Sequence, residues 1–186
     1  DLGVEGRIET GVEEGDEISP HYDPMIAKLV AWGEDRDDAI DTLVEMAETA
    51  EVWPVRTNAA FIANALSDND FIAERLDTGF IADKGDALIP SGEPDDAVLR
   101  GAARIAMVAN DDQPEELAGF RLNHGPRHAI ALSHRGKTHL VELDDTPFEP
   151  SLTGFAEGGR IVVFDNGQAF GFETETRGSG AASAAD

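Results

Sequence analysis

A tyrosine and an aspartate stand between two prolines in the segment Pro20-His21-Tyr22-Asp23-Pro24. Proline restricts its own backbone and that of the residue before it, so Asp23 should be extended and held in one direction. The pair would then form a rigid polar corner. The alternative is that Tyr22 and Asp23 bond to nearby backbone groups in a turn.

The element that would position this corner is the apolar run at 25–32, which Gly33 closes. An apolar run of this length between a proline and a glycine predicts a buried strand. A helix that begins at Asp23 with Pro24 in its first position is the competitor. We favour the strand because a second helix signal starts directly after the glycine.

The rest of the first half predicts a compact α+β module in the order β-β-β-α-β-α-α. Two short strands are expected in 1–18, around a turn at 11–15. An amphipathic helix at 35–50 would be capped by Asp35 or Glu34. A short edge strand at 52–55 precedes a helix capped by Thr57, and a last helical turn covers 71–76.

The second half predicts one helix followed by an antiparallel sheet. A helix at 97–108 would start at Asp95 or Asp96. Hairpin turns are expected at 135–136 and 166–167. Apolar residues alternate in four segments, which indicates at least four strands: 127–132, 138–143, 160–164 and 169–173. The predicted boundaries are a first domain at 1–84, a linker at 85–96, a second domain at 97–176 and a flexible linker at 177–186.

The balance of acidic and basic residues disfavours some classes of function. Lysine and arginine number 14 and aspartate and glutamate 38, so the formal net charge is −24. Nucleic acid binding needs a basic footprint and is therefore disfavoured. Acids are spread along the whole chain, which favours a folded surface solvated in concentrated salt over acidic disorder. We therefore expect the cytoplasm of a salt-accumulating, halophilic microbe.

Several other classes are disfavoured by composition. The chain has no cysteine, which excludes disulfides and thiolate metal sites. It has no apolar run long enough for a membrane span and no visible secretory signal. Ser133-His134 lacks a placed acid and a nucleophile elbow, so hydrolase chemistry is disfavoured. Neither the scattered histidines nor the acidic pairs have metal-ligand spacing. These residues are His124, His128, His134, His139, Asp37-Asp38, Asp95-Asp96, Asp111-Asp112 and Asp144-Asp145.

Four segments in order between residues 20 and 81 resemble the C-terminal domain of biotin carboxylases. Residues 20–29 resemble the family pattern P-x-Y-D-x-M-[IL]-x-K-[LV]. Trp32-Gly33-Glu34-Asp35-Arg36 resembles WG-x-[DN]-R, and Val55-Arg56-Thr57-Asn58 resembles G-[VI]-[KR]-T-N. Phe71 with residues 76–81 resembles the F…DTGFI ending of acyl-CoA carboxylase alpha chains.

The second half is similar to a later part of the same alpha chains. Leu117-Ala118-Gly119-Phe120-Arg121-Leu122 resembles an L-x-G-[WF]-R-L opening. In that family the domain is a helix wrapped by an antiparallel, barrel-like sheet, and it docks the carboxyltransferase beta subunit. Residues 177–186 stand where the linker to the biotin carboxyl carrier domain begins. The resemblance thus implies an α+β chain: a biotin carboxylase C-terminal domain and a helix-plus-barrel-like domain.

The family resemblance implies a function and three site residues. The parent enzyme carboxylates biotin with bicarbonate, using ATP and Mg²⁺, for transfer to acetyl- or propionyl-CoA. His21, Tyr22 and Asp23 would face its catalytic arginine, with Asp23 orienting that arginine and Tyr22 packing beside it. Arg7 falls where the family uses an arginine at the biotin carboxylase homodimer contact. The alternative for Arg7 is a surface arginine paired with Glu5 or Glu9.

The chain by itself is expected to be inactive and to bind none of these cofactors. It has no glycine-rich phosphate loop, and its three lysines are in unsuitable contexts. The biotinyl-lysine motif A-M-K-M and the family's catalytic arginine are also missing. A rival hypothesis is a non-catalytic acidic scaffold module that mediates subunit assembly. The coding sequence on both sides of this chain discriminates between the two.

Overall fold

The computed structural model describes residues 6–19, 21, 24–109, 129–143 and 151–174. Its fold is a mixture of helices and antiparallel sheets. The backbone divides into two compact units, Asp1–Gly92 with Asn166–Gln168, and Glu93–Asp165 with Ala169–Asp186. The Tyr22-Asp23 pair, the 117–122 segment and the 177–186 tail lie outside the described residues.

A two-stranded ribbon opens the first unit. Strand β1, Gly6–Thr10, pairs antiparallel with β2, Ala27–Ala31, in a register that sets Arg7 opposite Val30 and Glu9 opposite Lys28. The strand predicted within 25–32 is confirmed, and the competing helix is wrong. The predicted burial is also wrong, because every residue of β2 in this two-stranded ribbon is exposed or half-buried. The second strand predicted after the turn at 11–15 is also wrong, because β1 pairs with the distant β2 rather than with its neighbour.

Helix α1, Arg36–Glu48, follows the ribbon and confirms the amphipathic helix predicted at 35–50. Asp35 is its N-cap, and the Asp35 Oδ1 atom accepts from the Asp38 backbone N–H at 3.0 Å. This bond satisfies one of the orphan donors of the first turn. Ile40 and Ala47 are buried, as the apolar spacing indicated, and Met46 is buried as well.

Because Gly33 has no side chain, the backbone that follows β2 can lie close to the first turn of α1. A Cβ atom added there would lie 2.5 Å from Ala39 N, 2.7 Å from Asp38 Cβ and 2.8 Å from Asp35 O. Because backbone atoms cannot give way as a side chain can, we expect Gly33→Ala to lower the free energy of unfolding by about 1–3 kcal/mol in urea titrations.

The matched control is Gly11→Ala, since a Cβ atom at Gly11 would meet nothing within 4 Å. This variant should stay within about 0.5 kcal/mol of wild type. Equal stability of the two variants would contradict the close approach at Gly33.

Three short helices complete the first unit: α2, Ala59–Leu66; α3, Asn69–Ile72; and α4, Phe80–Lys84. A 3₁₀ turn, Gly85–Leu88, continues into the predicted linker, where Leu88 is buried and its carbonyl accepts from Asn64 Nδ2 at 3.0 Å. The Arg36 guanidinium donates to the carbonyls of Phe71 and Ile72 at 2.6 and 2.9 Å. It therefore ties α3 to the start of α1.

Two predictions for this unit need correction. The strand expected at 52–55 is wrong: these residues form no strand, and the Trp53–Pro54 peptide bond is cis. Proline has no N–H to offer to a strand ladder. The N-cap of α2 is Asn58 rather than Thr57, although the Thr57 hydroxyl accepts weakly from Ala59 N at 3.4 Å. The last helical turn, α3, ends at Ile72 rather than near 76.

An ion-pair cluster holds α4 to α3. The Lys84 ammonium lies 2.9 Å from Asp68 Oδ1 and 2.8 Å from Asp70 Oδ2, and Arg75 also pairs with Asp70 at 2.6 Å. Hydrogen bonding to Lys84 is the largest cause that lowers the pKa of Asp68 and of Asp70. The same bonds, led by that from Asp70, raise the pKa of Lys84.

These pKa shifts predict a pH-dependent contribution to stability. Carboxyl pKa values that fall on folding stabilise the fold above the ordinary value of 3.8, and that contribution disappears as pH falls through the lower folded value. The raised pKa of Lys84 gives a contribution to stability that is lost only when pH rises through that pKa. The cluster therefore stabilises the fold fully at neutral pH. Lys84→Met should be less stable than wild type at pH 7, and the gap should close as pH falls further below the ordinary carboxyl value of 3.8.

Chemical denaturation across this pH range measures the gap. Asp86→Asn, which alters an exposed acid in the neighbouring 3₁₀ turn, is the control and should follow the wild-type profile. A gap for Lys84→Met that persists unchanged at low pH would mean that lost packing, rather than the ion pairs, explains the destabilisation.

The second unit places helix α5, Asp96–Ala109, against one five-stranded antiparallel sheet. Asp95 caps the helix, accepting from Val98 N at 2.8 Å. The strands are β3, Ala129–His134; β4, Lys137–Glu142; β5, Thr153–Glu157; β6, Arg160–Asp165; and β7, Gln168–Thr174. Their order in the sheet is β4-β3-β7-β6-β5.

Tight turns join neighbouring strands. Both central residues have positive φ angles at Arg135-Gly136, Gly158-Gly159 and Asn166-Gly167. Paired positive φ angles match the twist of antiparallel strands. The turns predicted at 135–136 and 166–167 are confirmed. The Gly158-Gly159 turn and the strand before it were missed, because Gly154 interrupts the alternating pattern of β5.

Small side chains let α5 approach the sheet closely. Val98, Ala102, Ala103 and Ala106 are each at most 1% exposed and face the apolar side chains of β3, β6 and β7. A Cβ atom at Gly154 would meet the Val162 carbonyl and, at 2.8 Å, Ile105 Cδ1. The helix-plus-sheet prediction is therefore confirmed, while the barrel is not: within the described residues the sheet is open, with β4 and β5 at its edges.

Candidate functional site

The exposed face of the β1–β2 ribbon holds a small charge cluster. Arg7 lies 2.8 Å from Glu9 Oε1, and Lys28 lies 3.1 Å from Glu9 Oε2. Hydrogen bonding from Lys28, followed by its charge and that of Arg7, lowers the pKa of Glu9. Arg7 therefore has the surface pairing that the sequence allowed, and its homodimer role stays a prediction.

Trp32 directly follows β2 and is 65% exposed. The ribbon therefore ends in a large exposed aromatic ring.

A concave feature of the first unit lies between β2 and the start of α2. We call it the ribbon–helix cleft. Its volume is about 1040 Å³. It is lined by segments at 18–19, 24–27, 50–52 and 55–59, with Leu29 and Ile62. Met25 is 66% exposed and Val55 39% exposed, so part of this apolar lining faces solvent.

Among the described residues that line the cleft, none is an aspartate or a glutamate. The one charged group in this described lining is the guanidinium of Arg56, and the other polar side chains there are Ser19, Thr57 and Asn58. Sequence reasoning missed Arg56 as a cleft residue, although it stands within the quoted V-R-T-N motif.

This arrangement suits apolar contact with one anionic group, and it does not suit phosphoryl transfer. Mg²⁺ needs carboxylate ligands, and a transferred phosphoryl group needs several cationic or backbone donors around it. The described lining of the cleft supplies one guanidinium and no carboxylate. The described residues therefore do not fit Mg²⁺-bound ATP.

The predicted polar corner adjoins this cleft along the chain. Ser19 and Pro24 line the cleft, while Tyr22 and Asp23 between them lie outside the described residues. His21 is exposed, and its backbone N–H donates to Ser19 Oγ at 3.2 Å. The structure thus leaves the roles of Tyr22 and Asp23 as predictions.

Two histidines of the second unit lie near the β3–β4 turn. His134 is 5% exposed, with Nδ1 2.9 Å from the Gly171 carbonyl and its ring beside Phe172. His139 Nε2 is buried without a hydrogen-bond partner in the structure. Glu93 pairs with Lys137 at 3.0 Å, and this bond is the main cause of its lowered pKa.

The described ranges contain no group of three or more histidine or acidic side chains arranged to hold a metal ion. Among the helices of those same ranges, none combines the length and the apolar character of a membrane span.

Comparison with known families identifies the first unit. Residues 2–83 match the family model of the biotin carboxylase C-terminal domain. The match covers all four segments that carried the resemblance, together with the ribbon, α1 to α3 and most of α4.

Similar curated proteins extend this likeness beyond residue 83. Mitochondrial methylcrotonoyl-CoA carboxylase subunit alpha of Oryza sativa subsp. japonica is 45% identical over 192 residues, which covers 94% of this chain and 26% of that protein. The Dictyostelium discoideum protein of the same name is 30% identical over 149 residues, which covers 74% of this chain and 21% of that protein. The mitochondrial propionyl-CoA carboxylase alpha chain of Homo sapiens is 24% identical over 166 residues, which covers 79% of this chain and 23% of that protein.

Residues 2–83 are thus a biotin carboxylase C-terminal domain in sequence, and the α+β unit is consistent with one. The chain is homologous to the alpha subunits of acyl-CoA carboxylases, which are biotin-dependent ligases. It spans only 21% to 26% of the length of these three relatives.

Proposed function

We propose that this chain is a central part of the alpha subunit of a biotin-dependent acyl-CoA carboxylase. The observation that carries the proposal is the alignment with the rice alpha subunit, which extends over 94% of the chain. The likeness therefore includes the helix-and-sheet unit as well as the biotin carboxylase part.

The parent reaction in this proposal is ATP-dependent carboxylation of biotin by bicarbonate, followed by transfer to an acyl-CoA. Biotin, ATP and Mg²⁺ would be bound by other parts of the polypeptide, since the described lining of the ribbon–helix cleft offers no carboxylate and one cation. This chain would complete a wall of the site and would be inactive by itself.

The acyl-CoA is proposed to be methylcrotonoyl-CoA or a close analogue. Identity is 45% with the rice methylcrotonoyl-CoA carboxylase subunit and 24% with the human propionyl-CoA carboxylase chain. This difference favours a branched, unsaturated acyl group over the acetyl and propionyl groups expected from sequence motifs. A direct comparison of turnover with the three acyl-CoA substrates tests it.

The assembly we propose has two contact regions. The helix and sheet of 97–176 would dock the carboxyltransferase beta subunit, and the carrier domain would follow the 177–186 linker. Arg7 and the exposed Trp32 of the ribbon would contact a second biotin carboxylase domain. The acidic surface supports placement in a salt-rich cytoplasm.

The test is to express the polypeptide encoded by the extended reading frame beside the 186-residue chain. ADP release that depends on both bicarbonate and biotin measures the carboxylase reaction. We expect it from the longer polypeptide and none from the 186-residue chain. An extended frame with no glycine-rich ATP-binding segment and no A-M-K-M motif would favour the non-catalytic scaffold instead.

A further inference from the structure

We propose that the Asn166–Gln168 turn contains a deamidation site, Asn166-Gly167, which the fold keeps unreactive. While this turn is docked on the end of α1 and the start of α2, the Glu48 carbonyl binds the backbone N–H of Gly167. When the turn opens, the Gly167 nitrogen can attack the Asn166 side chain. The isoaspartate product would then be unable to dock again.

The sequence provides the reactive pair of residues once. Asn166 is followed by Gly167, and no other asparagine of the chain precedes a glycine. Because glycine has no Cβ atom, its own nitrogen can approach a neighbouring group closely, so an asparagine before glycine cyclises readily. Asn166 is also exposed, so water and base can reach its side-chain amide.

The structure withholds the attacking nitrogen of this pair. The Gly167 N–H donates to the Glu48 carbonyl at 2.7 Å. Glu48 is the last residue of α1, so its carbonyl is one of the terminal acceptors that have no partner within the helix. Gly167 is buried although Asn166 beside it is exposed. The N–H that must lose its proton is therefore both paired and shielded from water.

The surroundings of Gly167 require the backbone of this turn to stay as it is. A Cβ atom at Gly167 would lie 2.5 Å from the Ala47 carbonyl oxygen, 3.0 Å from Ala60 N and 3.2 Å from Ala59 Cβ. The φ angle of Gly167 is also positive, at 70°. A longer or displaced backbone at this point would collide with both helices.

Deamidation at this pair needs water but no oxidant or reductant. The Gly167 nitrogen bonds to the Asn166 Cγ atom and the Cγ–Nδ2 bond breaks. The proton of the Gly167 N–H passes through water to the leaving nitrogen, which departs as ammonia. Water then opens the five-membered imide at either carbonyl and gives aspartate or isoaspartate. The first step removes the proton that the Glu48 carbonyl binds in the docked turn.

The products differ in how they affect docking. The imide nitrogen carries no hydrogen, so it cannot donate to the Glu48 carbonyl. Isoaspartate routes the main chain through the side-chain methylene and lengthens the turn, and Gly167 has no spare room around it. Aspartate keeps the backbone and adds one negative charge to a chain of net charge −24. Opening of the turn would thus leave a permanent chemical change.

A comparison of rates tests the protection. Deamidation is followed in the folded 186-residue chain and in a synthetic peptide of residues 162–171, in the same mildly alkaline buffer. Peptide mapping by mass spectrometry separates asparagine, aspartate and isoaspartate at position 166. We expect the folded chain to react at least about tenfold more slowly, because only its opened fraction can react. Equal rates would overturn the proposal.

Hydrogen exchange measures opening of the turn without the chemistry. The Gly167 N–H should exchange slowly in the folded chain, since it is buried and bound to the Glu48 carbonyl. Fast exchange of this N–H together with slow deamidation would also overturn the proposal, because a different restraint would then protect Asn166.

Two variants separate release of the turn from general loss of stability. Ala59→Leu enlarges a buried side chain beside Gly167, so it should displace the turn and raise the deamidation rate by about tenfold. Gly33→Ala, which strains the other end of α1, is the matched control and should keep the wild-type rate. Equal acceleration in both variants would mean that unfolding of the whole unit controls the reaction, and would contradict the proposal.

The comparison of chain and peptide and the exchange measurement use the wild-type sequence, so they decide the matter even if Ala59→Leu does not fold. None of these measurements requires carboxylase activity or a longer polypeptide. The result is therefore independent of the proposed function.

Discussion

Asp23→Asn in the full carboxylase polypeptide is expected to lower the rate of biotin carboxylation tenfold or more. In our proposal, the Asp23 carboxylate orients the catalytic arginine through a charge-assisted hydrogen bond. Asparagine keeps the size of the side chain but loses the charge, so the arginine would stabilise the developing negative charge less well. Steady-state turnover with bicarbonate and biotin measures the effect, which should appear in kcat more than in KM.

The control for this variant is Asp41→Asn, which removes one exposed acid from α1. It should keep wild-type turnover. Thermal unfolding of both variants should match wild type, because a rigid polar corner that acts on an arginine affects the rate rather than the fold. Unchanged turnover of Asp23→Asn would reduce Asp23 to a turn residue that bonds to its own backbone.

Raising KCl from 0.1 M to 1 M is expected to raise the Tm of this chain by about 10 °C or more. The net charge of −24 on 186 residues opposes the compact state through self-repulsion. The screening length falls from about 10 Å to about 3 Å over this salt range, which removes most of that repulsion. Ion pairs such as Lys28–Glu9 and Lys137–Glu93 weaken in salt, but acids outnumber cations by 38 to 14.

A variant of α1 separates charge repulsion from other salt effects. Replacing Asp37, Asp41, Glu45 and Glu48 with their amides removes four negative charges from the outer side of this helix. Differential scanning calorimetry should give a smaller rise in Tm with KCl for this variant than for wild type. A Tm that falls with salt would mean that the ion pairs dominate, and would remove the support for a halophilic origin.

Local chemistry made several elements predictable. Helix α1 follows from the Asp35 cap and apolar spacing, and the two predicted hairpins follow from Arg135-Gly136 and Asn166-Gly167, whose positive φ angles their glycines favour. These signals act within a few residues, so a sequence window contains them whole. The cap of α5 at Asp95 belongs to the same class.

Predictions that required a distant partner were less successful. The second strand expected in 1–18 is wrong, because β1 finds its partner at Ala27–Ala31. The strand predicted at 52–55 is wrong. Its apolar residues suggested a strand, but Pro54 has no backbone N–H to donate to a neighbouring strand. Strand β5 was missed because Gly154 has no apolar side chain, although its place against Val162 and Ile105 requires a glycine.

Part of the candidate site could also be predicted from the sequence. The motif around Tyr22 and Asp23 identified the family that residues 2–83 match. The ribbon–helix cleft was not predictable, since segments that are distant in the chain, at 24–29 and 55–62, form its walls. The place of Arg56 in this lining depends on which side chains meet there, and the spacing of residues along the chain does not encode that.

The sequence by itself determined the family of the first unit, the capped helices, the hairpin turns and the acidic surface, because each depends on residue types within a short window. The tertiary structure alone decided that β1 pairs with β2, that the sheet of the second unit stays open within the described residues, and that Arg56 lies among the mostly apolar residues of the described cleft lining. Those features depend on which distant segments bury their apolar surface together, and burial is a property of the assembled chain.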